Sequence, residues 1–190
     1  MREKTSAMYD MTPLQSPLNS GLYQSKSWFH DRVMFIQSKN DVVAAGRSKA
    51  QAENGGRLVF LHRYVSGHIR GVMGDLSIDR DPGEMYLIDQ ARRVRCIQYP
   101  CIVQGVFLPS DMIGYDESAH APFMRFGLMP TIGPVIYDAF ERVFDQVCRD
   151  DMLDTEAFER LISCLKVAIG TDHRSGDARR HAREAVAVLI

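Results

Sequence analysis

Residues 58–65 carry the side chains of this sequence that are best suited to binding chemistry. Their residue types alternate with the period of two that is typical of a β-strand. The alternation places Phe60, His62 and Tyr64 on one face. Aromatic walls with a histidine and a hydroxyl at their tips suit a small-molecule pocket, so we predict that this face binds a ligand. The alternative is an ordinary core with one hydrogen-bonded histidine.

The opposite face of the same segment is apolar. It carries Val59, Leu61 and Val65. Because successive side chains of a strand point to opposite sides, we expect these three to pack outward against a second layer.

The reactive residue types form no recognisable metal or catalytic motif. His62 and His68 are separated by Gly67 and are not followed by a glutamate at a useful distance, whereas a metal site needs three or four ligands that converge on one ion. The sequence contains no GxSxG, HExxH, Walker or GxGxxG motif. We therefore predict no metal, no cofactor and no catalytic residue.

The whole sequence has the composition of a globular protein. Its 190 residues are 45% hydrophobic and 25% charged, with a net charge of −1, so the total charge gives no reason to expect contact with nucleic acid or an acidic membrane. No apolar run is long enough to span a bilayer or resembles a signal peptide. We expect a cytoplasmic protein without membrane contact and with reduced thiols, because the cysteines form no CxxC pair. These cysteines are Cys96, Cys101, Cys148 and Cys164.

The chain divides into three predicted zones. Residues 1–27 are polar, which indicates a loosely held arm. Residues 28–125 contain short apolar segments between turn residues, which favours a β-barrel or sandwich. Residues 126–190 change to a helical period. The predicted fold class is therefore α+β, with a β-barrel followed by a helical subdomain. The predicted strands are 33–36, 41–44, 58–65, 85–88, 92–98 and 101–108, with residues 38–40 as a break.

Three helices are predicted in the last zone. The first begins near Ile132, and the second is capped by Asp154 and ends at Gly170. The third begins at Asp177 and ends on an apolar Val-Leu-Ile sequence. Such apolar surface is seldom left in water by monomers.

The first of these helices carries an apolar stripe that we predict to be a dimer seam. The stripe is wide enough to pack against another helix, and the barrel alone can cover only part of the helical subdomain. We therefore predict a homodimer with a symmetric contact between helices. The seam residues are Phe140, Val143, Phe144 and Val147.

An ordered set of short motifs resembles one protein family. Residues 61–67 form a strand ended by glycine, and residues 82–89 form a Pro-Gly-acid turn followed by an apolar strand that ends on aspartate. The segments Arg92-Arg93-Val94 and Val106-Phe107-Leu108-Pro109 follow. In this order they are similar to the N-terminal regulatory domain of AraC/XylS-type transcription activators, over residues 30–190. One departure is Glu84, where aspartate is commoner.

The resemblance implies a cupin-like β-barrel over residues 28–125 that senses a small-molecule effector, mediates dimerisation, or does both. It implies that residues 126–190 are a helical dimerisation subdomain and the start of a linker. DNA would be contacted only through a C-terminal helix-turn-helix domain that is missing from this chain. The resemblance does not identify an effector, because members of the family bind sugars, aromatic acids, fatty acids and amino-acid derivatives.

Two other functions remain open on the sequence. A metal-free cupin enzyme, an isomerase or a lyase, would use His62 or Tyr64 as acid–base groups, but an enzyme barrel does not need a long helical tail. A ligand-free interaction domain would keep the barrel packed shut and use the helices as a dimer surface. We predict a regulatory domain rather than an enzyme.

Overall fold

The computed structural model describes residues 9–14, 24–54, 57–80 and 82–170. The predicted third helix lies outside these described residues. Within them, no helix is both long enough and apolar enough to cross a membrane.

The strands form two antiparallel sheets. Their bounds in chain order are β1 Asp10–Pro13, β2 Gln24–His30, β3 Val33–Asn40, β4 Val43–Arg47, β5 Leu58–Ser66, β6 Ile69–Met73, β7 Leu76–Arg80, β8 Met85–Asp89, β9 Val94–Gln98, β10 Cys101–Pro109 and β11 Phe123–Arg125. The five-stranded sheet has the order β1-β4-β9-β6-β7, and the six-stranded sheet has the order β11-β8-β5-β10-β3-β2. One buried cluster draws residues from both sheets, so the sheets face each other. The α+β class is confirmed, and in place of the predicted barrel we describe two facing sheets.

Most strands form where the sequence predicts them. β5, β8, β9 and β10 begin and end within two residues of their predicted bounds. The turn before β8 places Gly83 at a φ of 88°, a conformation that glycine adopts without a Cβ clash. The N–H of Gly83 donates a 2.8 Å hydrogen bond to the Tyr64 carbonyl. This bond ties the turn to the strand that carries the predicted ligand face.

The predicted break at residues 38–40 was wrong. β3 continues to Asn40, which pairs with Cys101 of β10. The long partner strand supplies the backbone hydrogen bonds that keep this polar end in the sheet.

The predicted loose arm over residues 1–27 was also wrong for the part of it that the structure describes. β1 pairs with β4, with Asp10 opposite Gly46. The Tyr9 hydroxyl donates a 2.6 Å hydrogen bond to Gln90 Oε1. Polar composition predicted an arm, but ladder pairing and this side-chain bond fix the segment to the sheet.

Two of the predicted helices are confirmed. A short unpredicted helix, α1, spans Lys49–Asn54, α2 spans Gly133–Asp150, and α3 spans residues 155–170. The N-cap prediction for α3 is confirmed, because Asp154 Oδ1 accepts a 3.0 Å hydrogen bond from the backbone N–H of Ala157.

α2 and α3 cover the outer face of the six-stranded sheet and form a core that we call the helix-side core. It includes Val59 and Leu61 of β5, as predicted. Val65 is 46% exposed and lies outside this core, so the predicted outward packing was wrong at that end of the strand.

The predicted dimer seam on α2 was wrong. The four side chains point into the helix-side core, where Phe144 packs edge-on against Trp28 and Phe35 with ring centroids 6.2 Å apart in each pair. A second copy cannot use side chains that the chain itself has buried. All four are 0% exposed in the single chain: Phe140, Val143, Phe144 and Val147.

Candidate ligand-binding site

A cavity lies between the two sheets, on the side of the six-stranded sheet that faces away from the helices. Its volume, measured as the space that the centre of a water molecule can occupy, is about 100 Å³. On the same measure a cavity that holds one water needs about 10–15 Å³. Most of its wall is apolar, with a small number of polar groups. The polar wall residues are Tyr9, Ser38, Asn40, His62, Tyr64, Arg80, Cys96 and Gln98.

The predicted ligand face of β5 forms part of this wall. Phe60, His62 and Tyr64 all line the cavity. The Phe60 ring stacks on His62 at 4.6 Å between centroids and on Phe107 at 4.1 Å. The structure thus brings the three residues together around one space, while binding of a ligand there remains a prediction.

A glycine on the neighbouring strand makes room for this stack. Gly105 of β10 pairs with His62, and a Cβ atom at Gly105 would lie 2.4 Å from the Phe60 ring. Only glycine fits the present ring position, because real Cβ contacts are never so short. Gly105 was not singled out in the sequence, where an isolated glycine inside a strand indicates a close approach.

His62 is neutral in the cavity wall. Burial, with Arg80 nearby, lowers its pKa to about 4. Its Nδ1 lies 3.4 Å from the Phe60 carbonyl, and because a carbonyl oxygen only accepts, Nδ1 carries the proton. The lone pair of Nε2 is therefore the acceptor that His62 can offer to a ligand.

Tyr64 and Cys96 also keep their protons at neutral pH. Burial raises the pKa of Tyr64 well above its usual value, and it raises the pKa of Cys96 to about 12. Tyr64 and Cys96 supply a hydroxyl and a thiol to the wall and no charge.

Asn40 and Gln98 form a polar corner at one end of the cavity. Asn40 Nδ2 donates a 2.5 Å hydrogen bond to Gln98 Oε1 and lies 3.8 Å from Cys101 Sγ. Asn40 Oδ1 is buried and has no hydrogen-bond partner among the described residues. A buried acceptor without a partner is costly by about 1–3 kcal/mol, and Asn40 is one of the wall residues of the cavity.

Arg80 is the only arginine among the wall residues of this cavity within the described ranges. It is 7% exposed. Its guanidinium carbon lies 3.7 Å from the Phe123 ring centroid and 4.5 Å from that of Tyr86, which is cation–π geometry. Burial, with repulsion from Arg125, lowers the pKa of Arg80 to about 10, so it remains a cation at neutral pH.

The sequence reasoning missed Arg80 and Asn40. Asn40 was assigned to a break that turned out to be strand. Arg80 lies in a short segment between the turn residues Gly74-Asp75 and Pro82-Gly83. Ile78 and Arg80 are two residues apart and so share one face of a strand, and this spacing was the available signal for an inward-facing arginine. Both residues are buried on that face, a pattern that marks an arginine directed inward.

His68, which the sequence analysis considered together with His62, lies away from the predicted ligand face. His68 Nε2 lies 3.0 Å from Asp79 Oδ1, and His68 is not part of the cavity wall. Among the residues that the structure describes, no three metal-binding side chains converge.

Comparison with known proteins gives a likeness of fold. No protein-family model matches the sequence, and no curated protein matches it in sequence. The AraC-like transcriptional activator CuxR matches in structure with a TM-score of 0.68 and 11% identity, over 90% of this chain and 63% of that chain. The chain therefore spans less than two thirds of that activator.

Two cupin structures match over about half of the chain. KdgF from Halomonas sp. is 14% identical over 53% of this chain and 86% of its own, with a TM-score of 0.38. A cupin superfamily protein from Desulfitobacterium hafniense is 15% identical over 52% of this chain and 94% of its own, also with a TM-score of 0.38. The fold of this chain is thus one that is also found in an AraC-like transcriptional activator.

Proposed function

We propose that this chain is the regulatory module of an AraC-type transcription regulator and that it senses a small molecule in the cavity between its sheets. The proposal depends on one observation above all. The cavity wall combines stacked aromatic rings with two polar side chains that have free hydrogen-bonding capacity among the described residues: Asn40, whose buried Oδ1 has no partner there, and Arg80, whose guanidinium forms no hydrogen bond there. A packed core normally satisfies such groups, whereas a binding site holds them ready for a ligand.

Binding fits this cavity better than turnover does. An acid–base catalyst works best with a pKa near the working pH. His62 has a pKa of about 4, and the pKa of Tyr64 is raised well above its usual value, so neither exchanges a proton readily at neutral pH. These protonation states disfavour the isomerase or lyase alternative.

The shared fold supports the regulatory part of the proposal, because the matching structure is that of an AraC-like transcriptional activator. We propose that DNA contact belongs to a domain C-terminal to residue 190. The isolated chain should then give no sequence-dependent shift with duplex DNA in a gel assay at moderate salt. A salt-resistant, sequence-dependent shift would contradict this assignment.

A homodimer remains a prediction, with a contact that excludes the four buried residues of α2. Sedimentation of the chain at high micromolar concentration tests it. A monomer at that concentration would contradict the dimer and would leave α2 and α3 as a cover for the sheet.

The experiment that tests the sensing function is a thermal-shift screen of neutral and charged metabolites against three proteins. Ala45 lines the cavity, and Ala45→Leu fills part of it. Ala44, the next residue of β4, points to the other side of the sheet, so Ala44→Leu is the matched control. We expect compounds that raise the Tm of the unmodified chain and of Ala44→Leu but not of Ala45→Leu. The proposal fails if no compound shifts the unmodified chain, or if Ala45→Leu responds as the control does.

A further inference from the structure

Among the residues that the structure describes, Arg80 is a buried cation without an acid partner. The nearby carboxylates are engaged elsewhere: Asp79 pairs with Arg70 at 3.2 Å and lies 3.0 Å from His68 Nε2, and Glu84 pairs with Arg125. Among the described residues Arg80 has neither an ion pair nor a hydrogen bond, and only ring contacts hold it. Burying an unpaired charge is expensive, so this position needs an explanation.

The direct side-chain contacts of Arg80 among the described residues are with aromatic rings. Tyr86 and Phe123 stack on each other at 5.3 Å between centroids, and the guanidinium carbon lies over both rings. A guanidinium binds a carboxylate through two parallel N–H hydrogen bonds, and within the described residues no N–H group of Arg80 is used in a hydrogen bond.

The charged neighbours of Arg80 have both signs. Arg125 and Tyr86 both donate to Glu84, and Arg125, Glu84 and Asp79 act on Arg80 through space without an ion pair to it. An anion that entered the cavity would supply the direct contact that these carboxylates do not make.

The unsatisfied acceptor Asn40 Oδ1 lies at the other side of the cavity. In the five-stranded sheet Arg80 pairs with Ile69, and Ile69 pairs with Gln98, the partner of Asn40. Two strand spacings, about 10 Å, therefore separate the backbones of Arg80 and Gln98. Ile69, which lies between them in this row of the sheet, also lines the cavity, so the path from one polar end to the other passes an apolar side chain.

We propose that the cavity binds a small organic carboxylate, whose carboxylate group pairs with Arg80 and whose far end donates a hydrogen bond to Asn40 Oδ1. This inference rests on the proposed sensing function and names its ligand class. The ligand body is apolar, because most of the wall that it would contact between these two polar ends is apolar.

The test is calorimetric titration of the 190-residue chain with aliphatic and aromatic monocarboxylates of five to nine carbon atoms. Each acid is paired with its neutral carboxamide, with a version that carries a terminal hydroxyl, and with a phosphate monoester of the same body. We expect the acid to bind at least about tenfold more tightly than its amide, since a hydrogen bond to a charged group contributes about 1.5–3 kcal/mol. The terminal hydroxyl should tighten binding further.

Two arginine variants separate a ligand contact from a structural role. Arg80→Met keeps the volume and removes the charge, and we expect it to melt at the same or a higher temperature without ligand while losing carboxylate binding at least about tenfold. Arg70→Gln, an exposed arginine on the adjacent strand, should bind like the unmodified chain. If Arg80→Met melts lower and still binds carboxylates normally, Arg80 is a structural residue and the proposal is wrong.

The remaining outcomes also decide the matter. Equal affinity for acid and amide, or binding of the phosphate monoester alone, overturns the carboxylate assignment while leaving sensing intact. If no anion of the panel binds but neutral compounds shift the Tm in the screen with Ala45→Leu as its control, only the ligand class fails. If neither experiment finds a ligand, the sensing function fails as well.

Discussion

Each side of the six-stranded sheet faces a buried arginine, and the two arginines differ in their hydrogen-bond partners. On the helix side, Arg63 donates to Gln104 at 3.0 Å and to Tyr137 at 2.9 Å, and it forms an ion pair with Glu141. On the cavity side, Arg80 is equally buried, and among the described residues its direct side-chain contacts are with aromatic rings, without a hydrogen bond or an ion pair. The donors of Arg63 are satisfied from within the chain, whereas Arg80 keeps its donors unused among the described residues, and this contrast is the basis of the proposed binding site.

The same contrast holds for the apolar residues. The helix-side core is packed with Phe140 and Phe144 in stacked contact at 5.4 Å between centroids. The cavity side keeps free space beside the Phe60 ring. We therefore expect substitutions on the helix side to change stability and substitutions on the cavity side to change binding.

The largest effect is expected at the centre of the helix-side core. Phe144→Ala should lower the free energy of unfolding by about 3–5 kcal/mol, because it removes a fully buried ring and leaves a cavity. Urea unfolding measures it, and Phe29→Ala is the matched control because Phe29 is more than half exposed. Equal losses for the two variants would contradict the placement of α2 on the sheet.

The next effect is a pH dependence of the free energy of unfolding that His62, in the cavity wall, should cause. The folded pKa of His62 is about 4, below its ordinary value of 6.5, so between these values the unfolded chain binds a proton that the folded chain does not. Stability should fall as the pH drops through this window, by on the order of 3 kcal/mol in total, and be fully present above pH 6.5. Urea unfolding of the unmodified chain and of His62→Gln, compared at each pH, isolates this residue. Parallel pH profiles for the two proteins would show that His62 is not buried as described.

A paired substitution compares the arginines directly. Arg63→Met should lower the free energy of unfolding by about 1–3 kcal/mol, because it leaves Gln104, Tyr137 and Glu141 without their shared donor. Arg80→Met should not lower it. Chemical unfolding of both variants measures the difference, and a greater loss at Arg80 would reverse the assignment of the two sides.

A smaller effect is expected where the cavity wall is tightest. Gly105→Ala places a methyl group against the Phe60 ring and should lower the free energy of unfolding by about 1–3 kcal/mol while shifting that ring. Gly46→Ala meets only a carbonyl oxygen at 3.8 Å and should be tolerated. If thermal melts show Gly105→Ala to be as stable as Gly46→Ala, the Phe60 ring is not held where we place it.

Local patterns in the sequence were sufficient for most of the fold. The Pro82-Gly83 turn, the alternation in β5 and the Asp154 cap each depend on neighbours a few residues away, and each was predicted correctly. The pairing of β1 with β4 was not predictable in this way, because ladder contacts join residues that are distant in sequence and polar composition masks them.

The candidate site was predictable only in part, for the same physical reason. Period-two alternation gave the face of Phe60, His62 and Tyr64. It did not reveal Arg80, because the lack of an acid partner is a property of the fold and not of a short segment. The α2 stripe was correctly identified as buried surface and wrongly assigned to a second copy, since periodicity shows that a face is covered but not by what.

The central claim is that the cavity side of the sheet is built to receive a carboxylate ligand. The most direct test is a crystal structure of the chain grown with the tightest-binding acid from the titrations. The account predicts density between the sheets, beside Phe60 and His62, with the carboxylate within hydrogen-bonding distance of the Arg80 guanidinium. Density for the ligand at any other place, with the cavity empty, would contradict it.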